Sequence, residues 1–559
     1  KSVCEMLANP AFLAYLDAHS VQEKLTLAIK AVLRTRPEQP LKAIGRYLLD
    51  AAAGASTPGD LHVLSWNMAA INNNPFEYWL THPDQDYAML MESVEKFVST
   101  PGDLDVPVKE VFTPSMYAEL DGLMTAQGWE GADACAAAWA EIGERPIVSG
   151  FLKDKGLGDK RLMSMPDRMT NTIDIVGGEC AYRPTVISSF SGQMPTVTKW
   201  WPLWRDFIFS ERLEVPGKKG APPSSKLPCE LLGKIPRSKY PALTEEEEAM
   251  SVRLQTLCLA IFDAVLVHMV STLSPDGKWL VLKTQILESL THAKESKQLD
   301  IIQTVYAQTE VLFLQEVRTT AMRDTLPKAV GSQYTVICPA TPSKADQNSV
   351  ILLSNSRFEP DSVTDLSFEA MSHVPSGGPS IADGDLLVVS AVEARTGKTL
   401  LLASFHGDTD GLATASALAA VHAVASRVAP AAVVFGLDAN TYIKAKPGKQ
   451  AAVVDFIADY QSKGYASSFG DASPEACLTT SNARTFLQPQ LQKACKAADK
   501  QALGDFNPKD HLLFTATAYT LATSGKDNTG ARRYEEGMIV PTLDWPSDHG
   551  LIFASLRPS

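Results

Sequence analysis

The stretch Thr309–Arg318, with the sequence TEVLFLQEVR, decides the fold class of this chain. Its run of four apolar residues predicts a buried β-strand, and that strand ends on Gln315 and Glu316. A carboxylate at the end of an apolar strand suits Mg²⁺, because this hard cation binds one or two carboxylates and keeps several of its waters. The stretch therefore predicts a sheet that carries chemistry at the end of a strand.

Polar residues flank apolar strands at several other places in the chain. They are Asn67 after Leu61–Trp66, His406 after Thr399–Phe405, Asp438 and Asn440 after Ala431–Phe435, Asp510 before Leu512–Phe514, and Asp548 and His549 before Leu551–Phe553. Asp438 and Asn440 are two residues apart, so both side chains project to one face of an extended segment, where the carboxylate can align a water and the amide can donate to a phosphate oxygen. An aspartate beside a histidine fixes the imidazole tautomer and raises its basicity, so that the ring can take a proton from water near neutral pH.

In this order, the motifs resemble the endonuclease/exonuclease/phosphatase superfamily of metal-dependent phosphoesterases. They are Trp66-Asn67, Gln315-Glu316, His406, Gly436-x-Asp438-x-Asn440, Lys509-Asp510-His511 and Ser547-Asp548-His549. The resemblance covers residues 60–80 and 295–559, and it implies a four-layer α/β sandwich, in which two mostly antiparallel sheets pack face to face with helices outside.

The resemblance also implies roles for the residues of the motifs. Asn67 and Glu316 are expected to hold Mg²⁺ or Mn²⁺, with Glu316 as the principal ligand. Asp438 and Asn440 are expected to position the nucleophilic water and the phosphate. A metal in this site neutralises charge on the phosphoryl oxygens, and most of the rate enhancement comes from positioning and electrostatics.

The remaining motif residues receive roles on the same basis. His406 is expected to contact a phosphate oxygen, and Asp510 to serve the leaving-group side or a second metal. His549, oriented by Asp548, is expected to act as general base or to stabilise the attacked phosphorus. Which group is the acid and which the base stays open.

Three further residues are predicted to contact the substrate. Asn348 lies in the stretch Gln347–Leu353, which corresponds to the central strand of the family, although the Arg-Gly often found just before this strand is absent here. Arg484 lies where family members place a threonine or arginine loop near the leaving group, and Arg318 follows the glutamate strand. The missing Arg-Gly leaves the identity of the substrate open.

A large insert separates two residues that should be neighbours in space, since Asn67 and Glu316 are 249 positions apart. Seven of the nine tryptophans lie between Asn67 and Glu316, and six of these are in residues 81–294, so we predict that residues 81–294 form a folded, mainly helical insert domain. Predicted helices include Asp84–Val98, Ser115–Gln127 and one from Thr244, capped with Glu247, to Thr272. The apolar stretch Leu254–Leu273 within the last helix is interpreted as a buried core helix rather than a membrane span.

The first 55 residues predict a helical hairpin. The sequence FLAYLDAHSVQEKLTLAIKAVLRTRPEQPLKAIGRYLLD, Phe12–Asp50, resembles the docking-and-dimerisation motif of type II protein kinase A regulatory subunits and its Dpy-thirty-like relatives. The resemblance implies a homodimer whose groove binds an amphipathic helix of an anchoring protein. The apolar face predicted to bind this partner comprises Leu16, Val21, Leu25 and Ile29. A hairpin packed on the rest of the chain is the alternative.

The overall composition limits the classes of substrate. A net charge of −13 argues against broad capture of a nucleic-acid backbone, so a phosphoester substrate, small or nucleic, is expected to be bound locally. Eight scattered cysteines without a Cys-x-x-Cys pair, and no secretion signal, favour a cytoplasmic protein, and the hairpin suggests a cilium or flagellar axoneme. The leading interpretation is a metal-dependent phosphodiesterase or nuclease. A phosphomonoesterase or inositol-phosphate phosphatase, and a structural axonemal or scaffold protein with a repurposed phosphoesterase fold, are the alternatives.

Overall fold

The computed structural model describes residues 59–217, 221–343, 346–488 and 504–559, together with Leu25, Thr26, Ile29 and Ile44. These residues form two compact units. The first unit contains residues 59–70, 293–482 and 505–559, and the second contains Ile71–His292 and Ala483–Gly504. The chain therefore leaves the first unit for the second twice, after Ala70 and after Asn482, and returns each time.

Sixteen strands lie in the described part of the chain. They are β1 Leu61–Asn67, β2 Thr172–Asp174, β3 Cys180–Tyr182, β4 Leu213–Val215, β5 Ser224–Lys226, β6 Val311–Val317, β7 Tyr334–Ile337, β8 Asn348–Ser354, β9 Thr364–Asp365, β10 Leu386–Val392, β11 Thr399–His406, β12 Ala432–Asp438, β13 Tyr465–Ser467, β14 Asp510–Thr515, β15 Tyr519–Asp527 and β16 Leu551–Pro558. Twelve of them form two six-stranded sheets in the first unit, in the orders β15-β16-β1-β6-β8-β7 and β13-β14-β12-β11-β10-β9.

Fifteen α-helices lie in the same described ranges. They are α1 Gln85–Ser99, α2 Val108–Val111, α3 Pro114–Ala126, α4 Ala132–Gly143, α5 Lys155–Asp159, α6 Ser164–Thr170, α7 Val197–Phe209, α8 Glu245–Ala249, α9 Ser251–Leu273, α10 Lys278–Leu287, α11 Lys294–Val305, α12 Leu326–Val330, α13 Ser367–Ser372, α14 Thr414–Val428 and α15 Val453–Ser462. Helices α11 to α15 belong to the first unit, and α1 to α10 to the second.

Each six-stranded sheet contains one parallel pair at its centre. In the first sheet β1 pairs in parallel with β6, and in the second β11 pairs in parallel with β12, while the other pairs are antiparallel. The carboxyl ends of parallel neighbours meet at the same edge of a sheet. The two parallel pairs therefore determine where the polar residues at the strand ends lie.

The two sheets share one apolar core. Phe313 of β6 and Val434 of β12 belong to the same buried cluster, which draws side chains from both sheets. Gly436 lies where they approach closely, because a Cβ atom at this position would stand 2.5 Å from the Phe313 side chain. A second contact is polar, since Gln315 Nε2 donates to Ser65 Oγ (3.2 Å) in its own sheet and to Ser404 Oγ (3.1 Å) in the other.

Helices cover the opposite faces of the two sheets. Helices α11 and α12 pack on the first sheet in a cluster that includes Trp66 and Leu314. Helices α13, α14 and α15 pack on the second sheet in a cluster around Phe405 and Phe435. The buried strands carry apolar residues on both faces for this reason. The mixed α/β fold predicted from the sequence is confirmed.

The second unit is mainly helical, and α9 runs through it as a buried core helix. Among the described residues, Ser251–Leu273 is long and apolar enough to span a membrane, but 78% of its most apolar window is buried inside the unit. Thr244 and Glu247 form the predicted capping box. The helix they begin ends at Ala249, however, and α9 starts separately after Met250, so the single long helix predicted from Thr244 to Thr272 was wrong at this point.

The segment that follows Asn482 joins the second unit, whereas the predicted boundaries assigned it to the phosphoesterase domain. The physical reason is local pairing: Tyr78 and Arg484 form a β-bridge, and the Trp79 amide donates to the Ala483 carbonyl oxygen (2.8 Å). The units also divide after Ala70 rather than at residue 80.

Most of the N-terminal hairpin predicted for residues 1–55 lies outside the described residues, including Leu16 and Val21. Leu25, Thr26, Ile29 and Ile44 are helical. The side chains of Leu25 and Ile29 are 42% and 41% exposed.

Candidate active site

The ends of five strands bring the predicted polar residues together in the first unit. Asn67 ends β1 beside Gln315 of the parallel strand β6. His406 ends β11 directly opposite Asp438, which ends the parallel strand β12. The antiparallel strand β14 begins at the same edge, and its first residue, Asp510, lies opposite Asp438.

Glu316 occupies a β-bulge, which turns its side chain toward this edge. The register between β6 and β8 shifts between Leu314 and Val317, and Glu316 has a left-handed φ of 53°. A non-glycine residue in this conformation is strained and persists only where the surrounding structure imposes it. The bulge therefore aims the carboxylate at the strand ends.

Four donors surround the Glu316 carboxylate. Oε1 accepts from Asn67 Nδ2 (3.0 Å) and lies 3.2 Å from His406 Nε2. Oε2 accepts from the Ala70 amide (2.8 Å) and from Gln347 Nε2 (3.0 Å). Burial alone would raise the pKa of Glu316, but the hydrogen bond and charge of His406, with the other donors, hold it well below its usual range.

The same contacts favour the protonated form of His406. Burial lowers the pKa of His406, but the hydrogen bond to Glu316 and the charges of Glu316 and Asp438 outweigh this effect and raise it to about 9. Without a metal, His406 is therefore a cation near neutral pH, and it compensates part of the negative charge of the two carboxylates.

Asp438 lies at the centre of the site and is 1% exposed. Its Oδ2 accepts from Asn67 Nδ2 (2.9 Å) and from Asn440 Nδ2 (3.2 Å), and its Oδ1 accepts from the Asn440 amide (3.0 Å). Asn440 Nδ2 also donates to the Gly407 carbonyl oxygen (3.1 Å). Both N–H bonds of the Asn440 side chain are thus engaged, and this amide orients Asp438 in the structure.

His549 is held by Asp510, not by the neighbouring Asp548. Its Nδ1 is 2.8 Å from Asp510 Oδ2, and its Nε2 is 3.9 Å from Asp438 Oδ2. Burial lowers the pKa of His549, but the charges of Asp510 and Asp438 outweigh burial and raise the pKa well above 6.5. The prediction that Asp548 orients the ring was wrong, because the strand pairing brings a carboxylate from β14 to the ring. The negative charge of Asp548 also raises the pKa of His549, less than Asp510 and Asp438 do, and it raises the pKa of Lys294.

Two overlapping groups of side chains could hold a metal ion. In one, Glu316, His406 and Asp438 offer ligand atoms within 4.8 Å of one another, and in the other Asp438, Asp510 and His549 do so. Asp510 Oδ1 is buried without a hydrogen-bond partner among the described residues, which leaves an acceptor for a cation. The carboxylates of Glu316, Asp438 and Asp510 supply the oxygen ligands that Mg²⁺ and Mn²⁺ prefer, so the residues fit such an ion.

The three predicted substrate contacts have other partners in the structure. Asn348 is fully buried; its Nδ2 donates to the Val317 carbonyl oxygen (2.8 Å), and its Oδ1 accepts from the Ser343 amide (2.7 Å). Arg318 pairs with Glu295 at 2.6 Å. Arg484 belongs to the second unit, where it pairs with Glu77 at 2.7 Å.

Comparison with known proteins gives one family model and a set of distant structures. Residues 105–284, within the second unit, match a domain of unknown function, DUF8234. No curated protein matches the chain. The chain is similar in structure to the human Nocturnin catalytic domain with bound sulfate (14% identity, 48% of this chain, 87% of that one, TM-score 0.33). It is also similar to an endonuclease/exonuclease/phosphatase from Bacteroides vulgatus (14%, 49%, 94%, TM-score 0.35) and to ANGEL2, a 2′,3′-cyclic phosphatase (13%, 47%, 85%, TM-score 0.34).

Sequence reasoning missed two contributors to the site. Gln347 donates to Glu316, and the Ala70 amide donates to the same oxygen. Gln347 lies beside the predicted residue Asn348, so its position at the start of a strand was a signal. The Ala70 amide gives no such signal in the sequence, because every residue except proline has a backbone N–H and its identity does not show what that N–H binds.

Proposed function

We propose that this chain is a divalent-metal-dependent phosphoesterase that hydrolyses phosphodiesters, as a phosphodiesterase or nuclease does. The observation that carries the proposal is the pair of overlapping groups, Glu316–His406–Asp438 and Asp438–Asp510–His549, within one buried site. The two groups bring together three carboxylates and two imidazoles, and perturbed pKa values cluster at functional sites. Two packed sheets with outer helices accord with the four-layer sandwich expected for such an enzyme.

In this proposal, Glu316 and Asn67 hold Mg²⁺ or Mn²⁺ with the help of Asp438. The ligand atom of Asn67 is Oδ1, which accepts from the Ala69 amide (2.8 Å) in the structure. The ion, when bound, neutralises charge on the phosphoryl oxygens and lowers the pKa of a bound water. Asn67 Nδ2 contacts both Glu316 Oε1 (3.0 Å) and Asp438 Oδ2 (2.9 Å), so one amide sets the spacing of the two carboxylates.

Asp438 and His549 are proposed to act on the nucleophile and the phosphate. Asn67 and Asn440 fix the Asp438 carboxylate, which can therefore accept a hydrogen bond from an attacking water in one orientation. Asp510 holds His549 through Nδ1, which leaves Nε2 as the atom that faces Asp438 and the substrate. A raised pKa makes this ring a proton donor to a phosphoryl or leaving oxygen near neutral pH.

Metal-titrated hydrolysis tests the proposal. Bis(4-nitrophenyl) phosphate, 4-nitrophenyl phosphate and a single-stranded oligonucleotide represent a small diester, a monoester and a nucleic acid. We expect Mg²⁺- or Mn²⁺-dependent turnover of at least one diester, with Glu316→Ala and His549→Ala each lowering kcat/KM by a factor of at least about 100. Glu359→Ala and His373→Ala are matched controls, because both side chains are exposed in the same unit, and they should keep full activity.

The substrates separate the alternatives. Turnover of only the monoester would favour a phosphomonoesterase. No turnover of any phosphoester, together with no Mg²⁺ or Mn²⁺ bound at Glu316, would contradict the proposal and favour a scaffold with a repurposed fold.

We further propose that the enzyme dimerises through its first 55 residues and binds the amphipathic helix of an anchoring protein, in a cilium or flagellar axoneme. The sequence motif supports this proposal, and so do two helical apolar residues, Leu25 and Ile29, that are about two-fifths exposed and lie four positions apart on one helix face. Immunolocalisation in ciliated cells tests the location, and a purely cytoplasmic signal would contradict it.

A further inference from the structure

Helix α11 presents a row of three polar side chains at its first two turns. Lys294, Lys297 and Gln298 lie at positions i, i+3 and i+4, which place them on one side of the helix. Lys294 is 6% exposed and Gln298 is 1% exposed. Long polar side chains are seldom buried to this degree unless they are paired, so the partners of this row are informative.

Two members of the row bind the segment that follows Asn67. Gln298 Nε2 donates to the Met68 carbonyl oxygen, and Lys294 Nζ donates to that of Ala70 (3.3 Å). The same segment donates to the metal-site residues through its amides, from Ala69 to Asn67 Oδ1 (2.8 Å) and from Ala70 to Glu316 Oε2 (2.8 Å). The carbonyl oxygens of this segment thus face α11 while its amides face the site.

The row also binds the segment that precedes His549. Gln298 Nε2 makes a second, longer contact with the Pro546 carbonyl oxygen (3.4 Å), and Lys297 Nζ donates to that of Leu543 (2.7 Å). Ser547 follows directly: its Oγ donates to the Asn67 carbonyl oxygen (2.7 Å) and accepts from the His549 amide (3.1 Å). One buried amide, that of Gln298, therefore connects the segments that carry the two halves of the site.

We propose that Gln298 is a positioning residue, which sets the distance between the Asn67–Glu316 half and the His549 half of the metal site. Its Nε2 contacts both segments, and without it two buried carbonyl oxygens lose a donor. The inference rests on the proposed metal-dependent function. A hydrogen bond that orients metal ligands from outside the site typically contributes a factor of about 10 to 100 in metal affinity or activity.

The experiment compares Gln298→Met with Gln303→Met in the full chain. Gln303 is a glutamine on the same helix, and its side chain is exposed. It also donates to a backbone carbonyl oxygen, that of Ala329, but the segment around Ala329 carries no residue of the site. Mn²⁺ binding is measured by electron paramagnetic resonance titration. The constants kcat and KM are measured with bis(4-nitrophenyl) phosphate as the substrate. We expect Gln298→Met to weaken Mn²⁺ binding and to lower kcat by a factor of about 10 to 100, while Gln303→Met matches wild type.

The outcomes separate this inference from the proposed function. Normal Mn²⁺ binding and kcat in a folded Gln298→Met variant overturn the inference alone, even if the melting temperature falls, because a merely structural role lowers stability without changing the affinity. If wild type binds no Mn²⁺, the proposed function and this inference both fail. If Gln298→Met does not fold, Lys297→Met, which removes the donor to Leu543 in the segment before His549, takes its place. A several-fold weaker Mn²⁺ affinity supports the inference, and an unchanged affinity overturns it.

Discussion

Replacing Glu316 by glutamine removes one negative charge from the site at almost constant shape. The wild-type carboxylate accepts from four donors, two on each oxygen. In the variant, one oxygen becomes an NH₂ group that faces two donors, and His406 loses the anion beside it. We therefore expect the metal-free variant to be less stable than wild type, and to have lost its principal metal ligand.

The magnitude follows from His406. Its pKa of about 9 in the folded chain compares with 6.5 for an unperturbed histidine, and this difference corresponds to about 3 kcal/mol of stability. Glu316 is the largest of the groups that raise this pKa, so most of this free energy should be lost in Glu316→Gln. For a unit of this size, about 3 kcal/mol corresponds to a fall in melting temperature of roughly 6 to 12 °C.

The sign of the pH dependence is also determined. Because the folded-state pKa of His406 is raised, the pair stabilises the fold fully below pH 6.5, and this stability is lost as the pH rises through about 9. The difference between wild type and Glu316→Gln should therefore be largest near pH 6 and should shrink by pH 10.

Calorimetric unfolding in EDTA at pH 6 and pH 10 measures this difference in stability. The transition to follow is the one that shifts in wild type when Mg²⁺ is added in a separate experiment without EDTA. At a Mg²⁺ concentration 100 times the dissociation constant, wild type should gain about 2.7 kcal/mol and the variant none. Glu359→Gln, an exposed glutamate in the same unit, is the control. A metal-free variant as stable as wild type at pH 6, or a destabilisation that does not shrink by pH 10, would refute the reasoning.

Three other predictions concern the second half of the site, the second unit and the hairpin. Asp510→Asn should lower kcat/KM by a factor of about 100 because it removes the partner of His549, whereas Asp548→Asn should cost less than tenfold; equal losses in steady-state kinetics would contradict this assignment. Burial lowers the pKa of Lys283 to about 7, although the charge of Asp263 opposes this shift. Below pH 7 the buried ammonium group should therefore lower the free energy of unfolding, and this loss should disappear as the pH rises toward 10.5. Urea unfolding of the second unit, which contains Lys283, should thus show stability that rises over this window in wild type and not in Lys283→Met. Deletion of residues 1–55 should convert a dimer to a monomer in light scattering, and an unchanged mass would argue against the dimer.

The sequence by itself determined which residue types flank the strands. Apolar runs predict strands because burial on both faces demands them, and a polar residue that ends such a run has to lie at a sheet edge. Asn67, His406 and Asp438 were identifiable in this way because each directly follows an apolar strand residue, and Glu316 because only Gln315 separates it from the apolar run. The large insert between the first two was visible as well, because it is a matter of spacing along the chain.

The tertiary structure alone decided which of these residues are partners. His549 has an aspartate next to it in sequence, yet its ring binds Asp510, because the antiparallel pairing of β14 with β12 brings that carboxylate to the site. Likewise, the bulge at Glu316 and the donors on its carboxylate depend on the register of β6 against β8. Register and sheet packing depend on contacts between residues that are far apart in the chain. A local hydrophobic pattern indicates which face of a strand is buried, but it does not say which strand pairs with it.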